Sequence, residues 1–188
     1  MNVVPCHHYR VFETPAGFCA IAWSEAGISR LQLPMTSADA AERMILRRLP
    51  HAAPGIPSAE IKAAIEAVRR YFAGASVEFS ALRLDLAEQD AFFREIYSAL
   101  RKVGWGETTS YGALAKAIGA GPDAARRVGQ AMANNPIPLI IPCHRVLAAG
   151  GRLGGFSAPG GSDTKVRMLE LEGVRLGARD PSQQAFAF

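Results

Sequence analysis

The sequence predicts an α+β protein, in which a small antiparallel sheet with helices is followed by a mostly helical, winged-helix-like half containing a helix-turn-helix. Three observations predict this class. Short apolar runs separated by turn residues fill the first third of the chain, helical apolar spacing follows from residue 88 onward, and a glycine turn near residue 120 joins two short helical segments. The 188 residues, 49% hydrophobic and 20% charged, are typical of a globular protein.

The N-terminal elements begin with three strands, predicted at 9–13, 18–23 and 28–33, with turn residues between them. A helix at 37–49, a proline-rich link and a second helix at 58–73 follow. The second helix carries an apolar face and stops at Gly74; that face comprises Ile61, Ile65, Val68 and Phe72. A short strand is predicted within 75–87, and we expect domains at 1–86 and 87–177 and a tail at 178–188.

The C-terminal elements are predicted mainly as helices. The first carries apolar residues from Phe92 to Val103 and ends at Gly104, and Ser110 is expected to cap a short helix that runs to Ile118. After a glycine turn, Pro122 suits the first position of the next helix, which ends near residue 134. The pair has the pattern of a helix-turn-helix. The glycine-rich stretch 150–155 is expected to form a hairpin or wing, and a final helix spans 162–172.

Cysteine content and hydropathy limit the possible locations. Cys6, Cys19 and Cys143 form an odd set without CxxC spacing, which predicts free thiols. No apolar run is long enough to span a membrane, and the first ten residues lack the apolar block of a signal peptide. We therefore expect a cytoplasmic monomer that makes no membrane contact.

Positive charge is concentrated in the C-terminal half. Residues 101–167 contain nine basic and three acidic residues, a net charge of +6, while the whole chain carries +4. This excess suits contact with a polyanion such as DNA. It is equally compatible with an ordinary solvated face, so charge alone does not decide.

Cys143 is the candidate nucleophile. It follows an apolar run punctuated by prolines, and an apolar environment raises the pKa of a thiol above about 8.5. Reactivity then requires a base or a positive group, for which His144 and Arg145 are candidates. Neighbours on an extended chain point to opposite sides, which favours a bridging water or a turn between Cys143 and His144. The alternative is a buried structural cysteine.

The C-terminal half closely resembles the methylated-DNA–protein-cysteine methyltransferases, also called O6-alkylguanine-DNA alkyltransferases. The similarity runs from about Phe92 to Gly173 and consists of several motifs in order. These are Gly106-Glu107, Ser110-Tyr111-Gly112, Ala124-Ala125-Arg126, Val128-Gly129, Asn135-Pro136-Ile137-Pro138, Ile141-Pro142-Cys143-His144-Arg145-Val146, Gly154-Gly155-Phe156, Lys165, Leu169 and Glu172-Gly173.

The resemblance implies DNA repair by direct reversal of damage. A methyl or other alkyl group of O6-alkylguanine moves to Cys143 in a single-turnover, suicide reaction that needs no cofactor; O4-alkylthymine is left open as a second substrate. His144 activates the thiol through a water, Glu172 orients His144, and Asn135 braces the preceding turn.

The partner implied by the resemblance is double-stranded DNA that contains an alkylated guanine, which must be rotated out of the stack. Arg126 then fills the space left in the duplex, and Tyr111 meets the rotated phosphate and the base. Ala125, Gly129 and Ala131 keep the second helix slim enough for the minor groove.

The implied base pocket has apolar walls at Met132, Pro138 and Phe156. The Val146 and Cys143 carbonyls accept from the guanine amine, and the Ser157 N–H donates to O6. Three features depart from the family pattern: Phe156 replaces a tyrosine, Ala158-Pro159 is an extra pair, and Trp105 is an unusual ring.

Alternative functions are a non-catalytic alkyl-lesion-binding or regulatory DNA-binding protein, and a thiol hydrolase that uses Cys143 and His144. The presence of a cysteine at the acceptor position argues against the first. We predict no metal site, because Cys6, His7, His8 and Cys19 follow no established zinc spacing and fit loosely ordered terminal histidines and a packed cysteine.

Overall fold

The computed structural model describes residues 6–176, apart from the side chain of Pro122; the predicted tail at 178–188 lies outside this range. The chain begins with three antiparallel strands, β1 (His8–Thr14), β2 (Gly17–Ser24) and β3 (Gly27–Met35). The sheet contains the strand order β3-β2-β1, which confirms the predicted meander. It also adds β4 (Ala53–Pro54), a two-residue strand parallel to β1 within the proline-rich link.

Strand β2 is buried on both faces because different layers pack on the two sides of the sheet. Ala20 and Ala22 pack in a small cluster with α1 (Ala38–Arg48). Ile21 and Trp23, on the opposite face, belong to the main core. Since side chains alternate along a strand, a strand covered on both faces has a continuous apolar sequence.

The two N-terminal helices, predicted at 37–49 and 58–73, both begin at serine caps. The Ser37 hydroxyl caps α1, and the Ser58 hydroxyl caps α2 (Ala59–Phe72). The predicted inner face of α2 needs one correction. Tyr71 is fully buried and Phe72 is only half-buried, because Tyr71 lies three residues after Val68 on the same helical face.

The segment 75–87 was expected to hold a strand, and this prediction is wrong. It makes one isolated parallel bridge, between Leu84 and Ile28 of β3. The Ile28 N–H donates to the Arg83 carbonyl, and the Asp85 N–H donates to the Ile28 carbonyl. Two bonds fix this segment to the sheet edge without extending into a ladder.

The C-terminal half carries four helices and a parallel pair of two-residue strands among its described residues. In chain order these are α3 (Ala91–Leu100), β5 (Thr109–Ser110), α4 (Tyr111–Ala117), α5 (Ala125–Ala133), β6 (Val146–Leu147) and α6 (Gly161–Leu171). Ser110 caps α4 as predicted. Helices α4 and α5 pack against each other as the predicted helix-turn-helix.

Two local predictions in this half are wrong. Pro122 opens a 3-10 turn (Pro122–Ala124), and α5 begins only at Ala125. The glycine-rich stretch forms another 3-10 turn (Ala149–Gly151) in place of a hairpin. Gly150 and Gly151 both have positive φ, which closes a tight turn between the Ala148 N–H and the Arg152 carbonyl.

A single main core continues from the sheet into the helical half. Ile21 and Val68 from the first half share it with Ile96, Val128 and Ile137 from the second. The Leu31 N–H of β3 donates to the Pro136 carbonyl at 3.1 Å, close before Cys143. The sheet-containing half therefore supports the segment that leads to the candidate nucleophile.

Between residues 6 and 176, no helix has the length and apolar character to cross a membrane.

Candidate active site

Cys143 occupies the first position of a 3-10 turn (Cys143–Arg145) that directly follows Pro142. The turn replaces the fully extended segment that the sequence suggests, and it is one of the two arrangements predicted to relate Cys143 and His144. The side chain of Cys143 is 6% exposed and reaches the wall of a cavity.

Asn135 braces the chain just before this turn. Its Nδ2 donates to the Ile141 carbonyl at 2.8 Å, and its Oδ1 accepts the Ile137 N–H at 3.0 Å. Between these bonds lies Leu139, whose φ of 77° is rare for a residue with a side chain. Two hydrogen bonds from one amide thus hold a strained backbone in place. This is the contact that the predicted bracing role requires.

The surroundings of Cys143 keep its thiol protonated. Burial raises the pKa of Cys143, whereas a hydrogen bond with Asn135 and the charge of Lys165 lower it; burial outweighs both. Since the thiolate is the nucleophile, a base must take the proton before or during reaction.

His144 and Glu172 form a fully buried pair next to Cys143, with 2.7 Å between His144 Nε2 and Glu172 Oε1. Burial lowers the pKa of His144 and outweighs the neighbouring carboxylate, so the imidazole is neutral. With its hydrogen on Nε2 donated to Glu172, the lone pair lies on Nδ1. Nδ1 is buried and has no hydrogen-bond partner among the described atoms, so its lone pair is free to accept a proton.

Arg145 supplies the charge that keeps Glu172 ionised. Its Nε donates to Oε2 at 2.8 Å and its Nη2 to Oε1 at 2.9 Å, a bidentate pair. Burial alone raises the pKa of Glu172, but the hydrogen bonds from His144 and Arg145 lower it to about 2. The sequence offered Arg145 as an activator of Cys143; its guanidinium instead pairs with Glu172.

Glu172 accepts two further hydrogen bonds. The Tyr71 hydroxyl of α2 donates to Oε1 at 2.9 Å, and the Gly106 N–H donates to Oε2 at 3.4 Å. Gly106 has a φ of +74°, and a Cβ there would lie 3.1 Å from the Glu172 carbonyl oxygen. Only glycine fits that position without strain.

Lys165 is a second buried charge near the thiol. Its side chain is fully buried, and Nζ donates to the Val146 carbonyl at 2.6 Å. Burial lowers its pKa to about 8, although the adjacent Cys143 raises it. A lysine held here stabilises a thiolate as the thiol loses its proton.

The sequence interpretation assigned no role to Tyr71 or Lys165. Both could have been found from helical spacing. Tyr71 follows Val68 by three residues, and Lys165 lies with Met168, Leu169 and Glu172 at intervals of three, four and seven residues. Lys165 and Glu172 flank an apolar stripe, and this spacing indicates that both charged side chains are buried on the inner face of α6.

The cavity beside Cys143 has a volume of about 420 Å³, within the usual range of about 300–1,000 Å³ for ligand pockets. Three predicted pocket residues, Met132, Phe156 and Ser157, line it. The remaining lining residues are Tyr111, Gly129, Ala133, Cys143 and Gly155. Tyr111 lies so close to the loop that a Cβ at Gly154 would come within 2.6 Å of its hydroxyl oxygen. The cavity thus joins the thiol to the predicted DNA-binding helices.

Two predicted pocket residues do not line this cavity. The Val146 side chain is fully buried, and its carbonyl accepts the Lys165 ammonium. Pro138 is half-buried, forms an isolated bridge with Ile141, and belongs to the braced segment before Cys143. A carbonyl oxygen has two lone pairs, so Val146 retains one for a further donor.

The predicted DNA-binding residues of α5 divide into exposed and buried positions. Arg126 is exposed, and Ala125 and Gly129 are half-buried. Ala131, predicted to face DNA, is fully buried, because it lies three residues after buried Val128 on the inner face. Its small size serves helix packing, and its carbonyl accepts the Tyr97 hydroxyl.

The other two cysteines lie away from this arrangement. Cys19 is buried in the main core, and burial raises its pKa to about 12. Cys6 is exposed in a cleft of about 720 Å³ on the N-terminal half, with its Sγ 3.9 Å from His8 Nε2.

His8 belongs to β1 and His7 bonds Ser29, so neither is loosely ordered. Across residues 6–176, no three histidine, cysteine or acidic side chains are grouped to hold a metal ion.

Comparison with known proteins identifies the family. A family model described as "6-O-methylguanine DNA methyltransferase, ribonuclease-like domain" matches residues 7–86, and one described as "6-O-methylguanine DNA methyltransferase, DNA binding domain" matches residues 91–174. The chain belongs to the 6-O-methylguanine DNA methyltransferase family. This confirms the resemblance found in the C-terminal motifs and extends it to the N-terminal half.

Individual members of the methyltransferase family cover nearly the whole chain. The methylated-DNA–protein-cysteine methyltransferase of Mycobacterium tuberculosis is 38% identical over 171 residues, 91% of this chain and 95% of the relative. That of Sulfolobus acidocaldarius is 35% identical over 170 residues, 90% and 96% of the two chains. The chain is accordingly an alkyl-transferring DNA-repair protein.

A solved methyltransferase structure supports the same fold and partner. The crystal structure of Mycobacterium tuberculosis OGT in complex with DNA superposes with a TM-score of 0.72 at 37% identity and covers 91% of this chain and 96% of the other. The predicted α+β class and the DNA partner are therefore confirmed.

Proposed function

We propose that this chain transfers one alkyl group from O6 of a guanine in double-stranded DNA to Sγ of Cys143. One observation carries the assignment of roles: a protonated thiol at the wall of a cavity is followed in the chain by a neutral, buried imidazole that is hydrogen-bonded to a buried carboxylate. This is the nucleophile, base and orienting group of covalent catalysis.

The reaction balances without a co-reactant. His144 Nδ1 takes the thiol proton through a water, and Lys165 stabilises the resulting thiolate. Sγ attacks the alkyl carbon, an S–C bond forms, and the C–O6 bond breaks with its electron pair on the guanine. The His144 imidazolium then gives up the proton it took, through water, and the guanine anion gains one, so His144 is neutral again and no proton is gained or lost overall. A thioether is a very poor leaving group, so each molecule reacts once.

The same proposal requires the base to leave the duplex, because a buried thiol cannot reach a stacked guanine. The cavity lies against α4 and α5, so a rotated base would enter it between Met132, Phe156 and Tyr111. Arg126, which is exposed on α5, would then occupy the vacated stack. Half-buried Ala125 and Gly129 allow α5 to approach the minor groove.

Mass analysis tests the proposed transfer. Incubation with duplex DNA containing O6-methylguanine should add one methyl group to the intact protein and place it on the Cys143 peptide. Unmethylated duplex of the same sequence is the control. Methylation at Cys6 or Cys19, or repair of more than one equivalent of O6-methylguanine per protein, would contradict the proposal. The same assay with O4-methylthymine and larger alkyl groups defines the substrate range.

Arg126→Ala is expected to slow transfer from duplex DNA by about tenfold or more, because base extrusion costs a few kcal/mol that the inserted side chain helps to offset. Single-turnover rates measure the effect. The matched control is Arg127→Ala. Arg127 stacks on Phe92 at 4.1 Å and pairs with Asp90, so its loss affects folding more than extrusion.

A single-stranded substrate separates extrusion from general binding. Arg126→Ala should transfer from an O6-methylguanine oligonucleotide at nearly the wild-type rate, since no stacked base has to be displaced. Equal losses on single and double strands would refute the role of Arg126 in extrusion.

For the organisation of the chain, we propose a domain at 1–86 and an acceptor and DNA-binding domain at 87–177, which act together as a cytoplasmic monomer. The change from sheet to helices supports the boundary. The family models meet near the same place, at residues 86 and 91.

A further inference from the structure

Tyr71 lies at the junction of the two halves, at the end of α2. Its side chain is fully buried and contacts the rings of Phe72, Phe79 and Trp105 at centroid distances of 5.1–6.2 Å. Its hydroxyl oxygen lies 2.9 Å from Glu172 Oε1, and 3.4 Å from both His144 Nε2 and the Met168 carbonyl. A residue of the N-terminal half thus touches the candidate catalytic pair.

We propose that Tyr71 is a positioning residue, whose hydroxyl fixes the Glu172 carboxylate and thereby holds His144 in the tautomer that can accept the Cys143 proton. The inference rests on the proposed function for the role of His144. It adds a contribution from the N-terminal half to a reaction centred in the C-terminal half.

The hydrogen-bonding pattern supports this role. A phenol has one proton, and the shortest of its three contacts is to Glu172 Oε1, so that oxygen is the acceptor. Burial and the neighbouring carboxylate raise the pKa of Tyr71, which keeps the hydroxyl a donor. Its own oxygen then faces His144 Nε2 as an acceptor. Because Glu172 Oε1 and the Tyr71 oxygen both lie near His144 Nε2, the hydrogen is favoured on Nε2 and the lone pair lies on Nδ1.

The electrostatic consequence has a definite direction. The charged and titratable groups around His144 are Tyr71 of α2, Cys143 and Arg145 beside it, and Lys165 and Glu172 from the α6 region. The Tyr71 hydroxyl withdraws charge from the carboxylate. Without it, Glu172 stabilises an imidazolium more strongly, so the pKa of His144 rises and less neutral base is present at a given pH.

The test compares Tyr71→Phe with Tyr9→Phe in the full chain. Tyr9 is also buried in the N-terminal half and donates to a glutamate, Glu42, but it packs in the cluster with α1. Tyr71→Phe should lower the single-turnover transfer rate about tenfold, as expected for a lost hydrogen bond to a charged group. It should also move the acid limb of the rate–pH profile to higher pH. Tyr9→Phe should change neither.

An NMR titration of His144 measures the proposed cause without relying on activity. Its pKa should rise in Tyr71→Phe and stay at the wild-type value in Tyr9→Phe. An unchanged titration, or a slower rate with an unchanged pH profile, would overturn the proposal. If the wild type transferred no alkyl group, the proposed function would fail, and the titration would still decide whether Tyr71 controls His144.

Incorporation of 3-fluorotyrosine at position 71 keeps the ring in place and so guards against loss of folding in the phenylalanine variant. A fluorophenol is a stronger hydrogen-bond donor and should withdraw more charge from Glu172. The acid limb and the His144 pKa should then move to lower pH, opposite to Tyr71→Phe. A shift in the same direction as Tyr71→Phe, or no shift, would count against the proposal.

Discussion

Cys143→Ala is expected to abolish alkyl transfer completely and to leave binding of damaged duplex DNA close to the wild-type affinity. The sulfur of Cys143 forms the new bond, and neither Cys6 nor Cys19 lines the cavity. The substitution removes one atom from a side chain that is 6% exposed, so the cavity wall formed by Met132 and Phe156 should stay intact. Single-turnover transfer and equilibrium DNA binding measure the two properties separately.

Cys6→Ser is the matched control, and it should transfer like the wild type. Cys6 is exposed and Cys143 is buried, so a simple accessibility argument would choose Cys6 as the reactive thiol. A small alkylating reagent should therefore label Cys6 first, while lesion-containing DNA labels Cys143. Transfer retained by Cys143→Ala would refute the assignment of the acceptor.

Glu172→Gln is expected to have the second largest effect, on both stability and transfer. It keeps the shape of the side chain and removes the charge that compensates buried Arg145. Breaking a buried ion pair by removing one partner costs about 3–5 kcal/mol. The amide keeps one acceptor oxygen and replaces the other with a donor, so the hydrogen bond that holds His144 Nε2–H at 2.7 Å loses its charge and the base is held less firmly. Chemical unfolding and single-turnover assays should both report the loss.

The matched control is Glu60→Gln, which breaks an exposed glutamate–arginine pair with Arg83. Its effect on stability should be small, because exposed pairs contribute little. If the two variants had similar unfolding free energies, the buried pair would contribute no more to stability than the exposed pair, and the prediction would be wrong.

The pH dependence of stability follows from the same residue. The pKa of Glu172 is about 2 in the folded chain, against 4.5 for an ordinary carboxyl. Its stabilising contribution is therefore present above pH 4.5 and is lost as the pH falls toward 2, by about 3 kcal/mol. Burial lowers the pKa of His144, so stability is also lost as the pH falls below the ordinary histidine value. Glu172→Gln should lose only the lower step in an acid titration of unfolding free energy.

Much of the fold was predictable because its local signals agree with its packing. Ser37, Ser58 and Ser110 all act as the helix caps that their positions indicate. The failures occur where backbone details depend on distant partners. Residues 75–87 are apolar enough for a strand, but Ile28 offers them only one bridge. The glycine loop resembles a hairpin in composition, and its two left-handed residues close a single turn instead.

Site residues that lie in sequence motifs could be predicted, whereas contacts between distant segments of the chain were harder to predict. Cys143, His144 and Glu172 could be assigned because they lie in motifs, and Asn135 makes the bracing contacts expected of it. Whether Ala131 faces DNA or the core depends on the rotation of α5, which small residues do not reveal. Helical spacing could have placed Tyr71 on the inner face of α2, but it could not have shown its contact with Glu172, which lies 101 residues away. Contacts at such separation leave no local pattern.

The burial of Cys143 also determines how long an unused molecule stays competent. A protein that is consumed by its own reaction waits with its one active sulfur intact until a lesion appears. Oxidation to sulfenic acid needs an accessible thiolate, and the raised pKa and 6% exposure of Cys143 leave little thiolate and little exposed sulfur. We expect the exposed thiol of Cys6 to be oxidised before the buried thiol of Cys143. The reserve of usable repair molecules is thereby protected under the conditions that also damage DNA.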